Sequence, residues 1–256
     1  MQNLNIFKKL IRVLDKKKAS AKFPDQLILE IGKLFLETPY VTGTLETKRA
    51  EHLVVNLREY DCVTFVENVV ALVYLVKSQE KSFKAFRRLL QKIRYRQGRL
   101  QGYSSRLHYF SDWIHDNQKK GIVRDVTAKI GGKSLRKAIT FMTTHPDLYP
   151  SLKNVAKLRR IKSIEKTISR RSLFFIPKKT LGRLEDRIRD GDLIAITTNA
   201  EGLDVEHVGL AARVKNRIHL LHASSIEGKV VLSKKTLYQY LMQSRARSGI
   251  MVARIT

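Results

Sequence analysis

The chain has little of what would assign it to a class at once. Its single cysteine makes an internal disulfide impossible. No apolar run approaches the roughly 18 residues that a membrane-spanning helix needs, so we expect no membrane span. Residues 1–22 carry scattered charges and no apolar segment, unlike a secretory signal. We therefore expect the cell envelope or periplasm if a signal has been removed, and the cytoplasm otherwise.

Acidic residues are scarce as well. Lys and Arg number 50 against 23 Asp and Glu, for a net charge of +27. Between Glu80 and Lys179 there are 26 basic and 6 acidic residues. Such a surface attracts anionic wall or membrane polymers, although a merely solubilising surface has the same composition. Charge alone also fits nucleic acid, but we expect no specific nucleic-acid partner.

Apolar residues make up 43% of the chain, which is enough for a sizeable core. We interpret residues 1–256 as one domain built from four consecutive segments. N-terminal helices occupy 1–35, a segment with the cysteine occupies 36–78, a basic insertion of helices and loops occupies 79–175, and a β-sheet with two key histidines occupies 176–256.

Hydrophobic periodicity predicts helices first and strands last. Helices are expected within 6–36 (two of them) and over 62–78, 81–94, 133–145 and 151–170, with an aromatic-rich loop over 95–116. Strands are expected over Leu193–Thr198, His207–Val214, Ile218–Ala223, Lys229–Ser233 and Ile250–Ile255. This order indicates an α+β fold with an antiparallel sheet.

Cys62 is the first candidate for chemistry. It follows Asp61, a plausible N-cap, at the start of a helix that is apolar nearly all round. Free N–H groups at a helix start favour a thiolate, and a neighbouring imidazolium would favour it further. A buried structural cysteine in a core helix remains the alternative.

Two histidines on neighbouring strands are candidate partners. His207 enters one strand and His222 leaves the next. They could bind a metal with Asp204 and Glu206, yet no ligand spacing typical of a metal site completes the set. A Cys–His–His relay explains the same residues, so we expect neither a metal nor a cofactor.

Five blocks in order resemble the NlpC family of papain-like cell-wall hydrolases, and above all its N-acetylmuramoyl-L-alanine amidase-like branch. The blocks are LETPYVTG from Leu36, DCVTFVE from Asp61, RDGDLIAI from Arg189, HVGLAA from His207 and LLHASS from Leu220. The likeness extends over most of residues 35–256. Val63-Thr64 depart from the Ser-Gly that commonly follows the nucleophile.

The resemblance implies a papain-like fold whose buried helix bears the cysteine at its N-terminus. It implies that Cys62 is the nucleophile, His207 the general base and His222 the residue that orients His207. Tyr40 would line the site. The expected substrate is peptidoglycan or a muropeptide, cut at the N-acetylmuramoyl-L-alanine bond. Alternatives are a stem-peptide endopeptidase that cuts the D-Glu–diamino acid bond and an inert basic binding protein on the same scaffold.

Aromatic and basic residues alternate between Arg94 and Trp113, and three interpretations remain open. Tyr103, Arg106, Tyr109 and Trp113 could line the cleft and contact sugar rings or a carboxylate. They could also form a nucleic-acid surface, or simply pack the loop against the core. We predict substrate contacts for these four residues and for Asp204.

The loop Lys215-Asn216 predicts which second histidine meets His207. If it forms a two-residue hairpin loop, His222 becomes a diagonal neighbour of His207 on the same face of the sheet. The backbones of the two residues would then be about 7–8 Å apart across the strands. His219 differs by an odd number of positions and points to the opposite face. A three-residue loop would reverse this assignment.

Overall fold

The computed structural model describes residues 2–18, 24–46 and 50–256. In these ranges the helices are α1 (Gln2–Lys18), α2 (Pro24–Lys33), α3 (Cys62–Lys77), α4 (Phe83–Arg94), α5 (Phe110–Lys119), α6 (Thr127–Ile130), α7 (Phe141–Thr144), α8 (Val155–Ser169), α9 (Leu181–Leu184) and α10 (Leu237–Met242). No helix in these ranges combines the length and apolar character that crossing a bilayer requires.

The strands pair into one antiparallel sheet. They are β1 (Val123–Asp125), β2 (Lys133–Leu135), β3 (Leu173–Pro177), β4 (Leu193–Thr198), β5 (Val205–Val214), β6 (Arg217–Ser224), β7 (Lys229–Thr236) and β8 (Arg247–Ile255). Their spatial order is β2-β3-β8-β4-β5-β6-β7, and β1 pairs with β8 as well. The predicted α+β class with an antiparallel sheet is therefore confirmed.

Alternation along the strands divides the core between the two faces of the sheet. On β4, Leu193 and Ala195 pack in the large cluster that contains α3. Their neighbours Ile194 and Ile196 pack in a second cluster with Leu237 of α10. Because successive side chains of a strand point to opposite faces, this sheet is covered on both sides.

α3 is buried along nearly its whole length. Its residues from Phe65 to Val73 are almost without exposed surface, as the apolar sequence predicts. Burial of each large aliphatic side chain contributes about 1.5–3 kcal/mol. The two charged or amide side chains of this stretch, Glu67 and Asn68, have partners: Glu67 pairs with Arg94, and Asn68 donates to the Thr64 carbonyl.

The hairpin of β5 and β6 has the predicted register. Lys215 and Asn216 both adopt positive φ, 46° and 64°, as a two-residue type I′ turn requires. Val214 faces Arg217, and Leu210 faces Leu221. The parity that places His207 and His222 on one face of the sheet is thereby confirmed.

Two predictions for the basic segment are wrong. Residues 133–145 are not a helix, because Lys133–Leu135 pair with β3 and leave only the short α7. Within the predicted loop 95–116, α5 begins at Phe110. Burial of Phe110, Trp113, Ile114 and Asn117 at helical spacing stabilises this helix.

Segment 79–175 also belongs to the sheet. Its strand β1 pairs with β8, and its strand β2 pairs with β3. A third apolar cluster joins Tyr103 and Tyr109 to α8 through Ile161 and Ile168. The basic helices thus pack on the same body as the segments that carry Cys62 and the histidines.

We expect Gly249→Ala to destabilise the β3–β8 pair. A Cβ at Gly249 would lie 2.1 Å from the Ile176 carbonyl oxygen, a backbone atom that cannot move aside easily. Overpacking of this kind costs about 1–3 kcal/mol, so the free energy of unfolding in urea should fall by about that amount.

Gly182→Ala is the matched control for this change. No atom lies within 4 Å of its added Cβ, and the residue is helical, where Ala is favoured. Its free energy of unfolding should stay unchanged or rise slightly. An equal loss in both variants would contradict the steric argument.

Candidate active site

The first turn of α3 is fixed by a reciprocal capping box. The Asp61 carboxylate accepts from the Thr64 N–H at 2.7 Å, and the Thr64 hydroxyl accepts from the Asp61 N–H at 3.0 Å. Thr44 also donates to Asp61, at 3.1 Å. Thr64 therefore provides a cap at a position where the sequence pattern departs from the common motif. Cys62 is held as the first residue of the helix.

Tyr40 is tied to the segment that precedes Cys62. The Tyr60 N–H donates to Pro39, the Val41 N–H donates to Tyr60, and the Tyr40 N–H donates to Gly228 at 2.8 Å. Burial raises the pKa of the Tyr40 phenol to about 12, and the Cys62 sulfur and Asp61 add to this shift. Tyr40 and Cys62 both pack against the large core cluster, and the role of Tyr40 in lining the site stays a prediction.

His207 and His222 are in direct contact. Nε2 of His207 lies 2.6 Å from Nδ1 of His222, and the ring planes are nearly perpendicular at 85°. His219 lies elsewhere, with its Nδ1 against the Ser233 carbonyl at 2.8 Å. The structure thus brings together the two histidines that the hairpin register selects.

Gly209 makes this contact possible. It follows His207 by two residues on β5, and a Cβ at this position would lie 2.8 Å from the Cβ of His222. Any side chain there would displace the His222 ring or push the strands apart. A residue larger than glycine at this position of the HVGLAA block is therefore sterically incompatible with the observed histidine pair.

The hydrogen bond between the rings restricts the tautomers. Since Nε2 of His207 is engaged by His222, Nδ1 is the ring nitrogen of His207 that remains available to accept a proton. For Nδ1 to accept, the ring proton of His207 must sit on Nε2 and be donated to His222 Nδ1. His222 then carries its own proton on Nε2. This arrangement needs no change of tautomer when His207 becomes protonated.

Tyr240 and Arg247 form a layer behind the two imidazoles. The Tyr240 ring meets the His222 ring edge-on at 5.5 Å between centroids, and Arg247 stacks on Tyr240 at 4.1 Å. Arg247 also donates to Glu206 at 2.9 Å and to the Tyr240 carbonyl at 2.6 Å. Neither residue was predicted from the sequence, because both lie beyond the motif blocks, on α10 and β8.

Both imidazoles are neutral at physiological pH. Burial, His222 and Arg247 together lower the pKa of His207 to about 3, with burial the largest cause. Burial and then Arg247 lower the pKa of His222 to about 4. His207 can therefore act as a base over a wide pH range.

The thiol is neutral at rest as well. Burial and, to a smaller extent, the Asp61 carboxylate together raise the pKa of the Cys62 thiol to about 12. Backbone N–H groups of Val208 and Val63 oppose it without reversing it. The surroundings of Cys62 thus favour the thiol over the thiolate, although free N–H groups at the helix start act in the opposite direction.

A cavity of about 120 Å³ opens beside Cys62. Its wall consists of Cys62, Val63, His108, Tyr109, Phe110, Met142, Tyr149, Leu203, Asp204, Val205, Glu206, His207 and Val208. A second cavity, of about 160 Å³, adjoins it and shares Val63 and His108. A substrate could extend on both sides of the thiol.

Two predicted substrate residues, Tyr109 and Asp204, line the first cavity. The Tyr109 hydroxyl donates to the buried Glu165 at 2.7 Å, which turns the ring to the cavity and its polar end away. The Asp204 carboxylate accepts from the N–H groups of Ser111 and Val205 at 2.8 and 2.7 Å. Asp204 thus fixes the start of β5 against α5.

Arg106 lies farther along the cleft wall, whereas Tyr103 lines neither cavity and packs in the third apolar cluster, as the packing interpretation of the aromatic segment predicts. Arg106 lines the second cavity, bonds Glu46 at 2.5 Å and stacks over the Tyr103 ring at 4.9 Å. Tyr103 is buried below it. A carboxylate ligand at Arg106 would compete with Glu46.

Trp113 does not line the cleft, so its predicted contact with substrate is corrected. Its side chain is fully buried, and its Nε1 donates to Glu67 at 3.2 Å. The aromatic spacing that suggested a sugar platform is the packing face of α5. For Trp113 the packing interpretation of the aromatic segment is the right one.

His108 is a cleft residue that the sequence analysis did not single out. It borders both cavities, and its Nε2 bonds the Tyr103 carbonyl at 2.9 Å. A carbonyl only accepts, so Nε2 carries the proton and Nδ1 remains an acceptor. Burial lowers the pKa of His108 to about 3, which keeps the ring neutral.

A metal centre is not supported by the ligand geometry. In the described part of the chain, no three His, Cys, Asp or Glu side chains converge as a set that could hold an ion. Glu206, one conceivable ligand, instead pairs with Arg247.

Comparisons with known proteins find one matching family model and several similar structures. The family model described as AmiA-like, N-acetylmuramoyl-L-alanine amidase-like, matches residues 30–250. No curated protein matches. An N-acetylmuramoyl-L-alanine amidase structure from Bacteroides uniformis ATCC 8492 is 41% identical, with a TM-score of 0.87 over 91% of this chain and 99% of that one.

Two further structures are similar. A Bacteroides fragilis protein provisionally named a xylanase is 44% identical, with a TM-score of 0.84 over 89% of this chain and 100% of its own. The protein LPG0564 from Legionella pneumophila is 22% identical, with a TM-score of 0.74 over 99% of this chain and 94% of its own. At that identity the Legionella protein supports the fold alone.

We expect His222→Ala to lower kcat on an amide substrate by about tenfold or more, because His207 loses the acceptor that orients it. His222→Asn should retain more activity, since an amide oxygen can still accept from His207. Steady-state kinetics with a muropeptide would measure both effects.

His219→Ala is the control, as the same residue type on the opposite face of the same strand. It should stay within a few-fold of the unchanged protein. Were His219→Ala inactive and His222→Ala active, with both folded, the assignment of the histidine pair would be lost.

We further expect Arg247→Gln to move the acid limb of kcat/KM to higher pH. Activity requires neutral His207, and activity is lost as pH falls through the pKa of the pair. The lowered pKa values place that limb below the ordinary histidine value of about 6.5. Removing the Arg247 cation raises both pKa values.

Arg217→Gln serves as the control for this pH profile. Arg217 also pairs with a carboxylate, Glu185, but it lies at the far end of the β5–β6 hairpin from His207 and His222. The acid limb of the Arg217→Gln variant should coincide with that of the unchanged protein. If the acid limb moves equally in both variants, or moves in neither, Arg247 does not set the pKa values of His207 and His222.

Proposed function

Because the chain belongs to the AmiA-like family of N-acetylmuramoyl-L-alanine amidase-like proteins, we propose that it is a cysteine hydrolase that cleaves the bond between the lactyl group of muramic acid and L-Ala. Family membership supports an amidase-like hydrolase of peptidoglycan. The cysteine mechanism, the NlpC-type papain-like classification of the fold and the scissile bond are our additions.

One observation carries the mechanism. A cysteine at a helix N-terminus shares a cavity with His207, whose second nitrogen is engaged by His222. A nucleophile, a base and a residue that orients the base are the minimal parts of a cysteine hydrolase. The contact between the histidines follows from the hairpin register and does not depend on the family resemblance.

In the first step, the Cys62 sulfur attacks the amide carbonyl carbon while its proton passes to Nδ1 of His207. The carbonyl oxygen takes up the electron pair and is stabilised by backbone N–H groups at the start of α3, including that of Cys62. His207, protonated and still bonded to His222, then gives its proton to the amine of L-Ala. The C–N bond breaks and a thioester of the lactyl carboxyl remains.

Water completes the reaction. His207 Nδ1, neutral again, takes a proton from a water molecule as its oxygen attacks the thioester carbon. The C–S bond breaks, the sulfur regains a proton, and the free carboxylic acid leaves. Because both imidazoles start neutral, the same tautomer serves attack, departure of the amine and hydrolysis.

The name of the Bacteroides fragilis relative raises a glycosidase as a second possibility. Glycosidases usually place two carboxyl groups across the scissile bond, one as an acid. Here the carboxylates in the cavity wall, Asp204 and Glu206, already bond backbone N–H groups and Arg247 respectively. This engagement supports the thiol, rather than a carboxylate pair, as the reactive group.

Cys62→Ala tests the nucleophile. We expect a loss of more than about 10³-fold in kcat, since the acyl-enzyme can no longer form. The side chain is small and half-buried, so the melting temperature should change little. EDTA should leave the unchanged protein fully active, whereas inhibition by EDTA with recovery on adding zinc would favour a metal mechanism.

Mass spectrometry of the products from a defined panel of muropeptides identifies which bond is cleaved. We expect free lactyl carboxylate on the sugar and an intact stem peptide that begins with L-Ala. A cut inside the stem peptide, with the sugar–Ala bond whole, would establish the endopeptidase alternative. No turnover of any member, with a thiol that resists substrate-like acyl probes, would establish an inert binding protein.

A further inference from the structure

α8 has a basic outer face and an apolar inner face. Its first residue, Val155, and the residues Arg159, Lys162, Lys166 and Arg170 recur at intervals of three or four, the last lying just past the helix end. That spacing aligns all five on one side of a helix. All five are exposed. The stripe spans about 22 Å at 1.5 Å per residue.

The cations of this stripe have no acidic partners among the described residues. Glu165 is the one acid within α8, and it is turned inward, where it accepts from Tyr109 and Thr143. Arg171, which follows the stripe, pairs with Asp112 instead. The acid nearest along the chain on the N-terminal side is the exposed Asp147. The outer face of α8 is therefore an uncompensated positive strip.

Exposed aliphatic side chains lie at the N-terminal end of the same strip. Leu148 ends a 3-10 turn just before α8 and is 64% exposed, and Val155 is 59% exposed. The intervening turn, Pro150–Lys153, contacts both elements. Exposure of two large aliphatic groups on neighbouring elements is unfavourable in water. Their presence beside a cationic strip indicates a ligand with both charge and an apolar phase.

The strip is also close to the cleft. The inner face of α8 packs through Ile161 on the cluster that contains Tyr109 and Met142, both in the wall of the Cys62 cavity. Tyr149, the residue after Leu148, lines that cavity too. A surface bound to α8 would lie one helix diameter, about 10 Å, from the cleft wall.

We propose that the outer face of α8, with Leu148 and Val155, docks on an anionic lipid bilayer. The four cations lie over acidic headgroups, and the two aliphatic side chains enter the boundary between headgroups and acyl chains. A soluble polyanion would use the cations equally well but would give Leu148 and Val155 nothing to contact. This proposal is independent of the amidase proposal, because it concerns where the protein binds and not what it cuts.

Vesicle sedimentation with the full chain tests the docking surface. Vesicles of phosphatidylglycerol and phosphatidylcholine in equal parts are compared with pure phosphatidylcholine. Each basic residue near an anionic surface contributes about fivefold in affinity. The combined variant Arg159→Gln, Lys162→Gln, Lys166→Gln and Arg170→Gln should therefore lose at least about tenfold in partitioning onto the acidic vesicles.

The control removes the same charge elsewhere. Lys84, Arg87, Lys92 and Arg99, on and after α4, are also exposed. Their combined change to Gln should reduce vesicle partitioning less than about threefold, since a Debye length of about 8 Å screens distant charges. An equal loss in the two variants would show a general effect of net charge and overturn the proposal.

Leu148→Ser with Val155→Ser separates a bilayer from a soluble polyanion. We expect this pair to weaken vesicle binding several-fold and to leave binding to polyglutamate unchanged. If polyglutamate binds as tightly as the vesicles, or if the Ser pair has no effect on vesicles, the ligand is a soluble polyanion and the bilayer proposal fails. Turnover of a soluble muropeptide and the melting temperature should be the same in all three variants, so loss of folding would be recognised.

Discussion

Burial of α3 is the constraint on which the rest of the structure depends. A helix that is apolar on every side must be covered on every side, and here the sheet, α1, α2 and α4 all contact it. The one carboxylate of the helix, Glu67, is buried with it, forms an ion pair with Arg94 and accepts a hydrogen bond from the Trp113 indole N–H. Burial nevertheless raises the pKa of Glu67, so the desolvation cost exceeds what its partners recover. Arg94 and Trp113 tie α4 and α5 to the helix, while Cys62 at its N-terminus borders the cavity.

The same burial explains the electrostatic state of the site. The thiol and both imidazoles are in surroundings that disfavour charge, and each pKa moves toward the neutral form. A resting ion pair would have to hold two charges in this environment without a strong compensating partner. Neutral groups avoid that cost, and in the proposed mechanism charge develops only when a substrate carbonyl supplies an oxyanion next to the helix N-terminus.

The sequence predicted the parts of the fold that depend on local patterns. A two-residue loop of residues that tolerate positive φ fixed the register of β5 and β6, and with it the contact of His207 with His222. The helix over 133–145 failed because pairing with β3, which is distant in sequence, overrides local preference. Trp113 was misplaced because an aromatic that packs inward and one that faces a ligand have the same spacing. Tyr240 and Arg247 gave no signal, since their importance comes only from tertiary proximity to the histidines.

The contact between the histidines also depends on the absence of a side chain at Gly209. Gly209 leaves room for the Cβ of His222, so the contact depends on three positions on two strands rather than on two side chains. Transplanting His207 and His222 onto another hairpin would fail unless the glycine were transplanted with them. Most substitutions at position 209 would raise the strand propensity of β5. For the same reason they would displace His222, so the protein cannot gain strand stability at this position and keep the histidine contact.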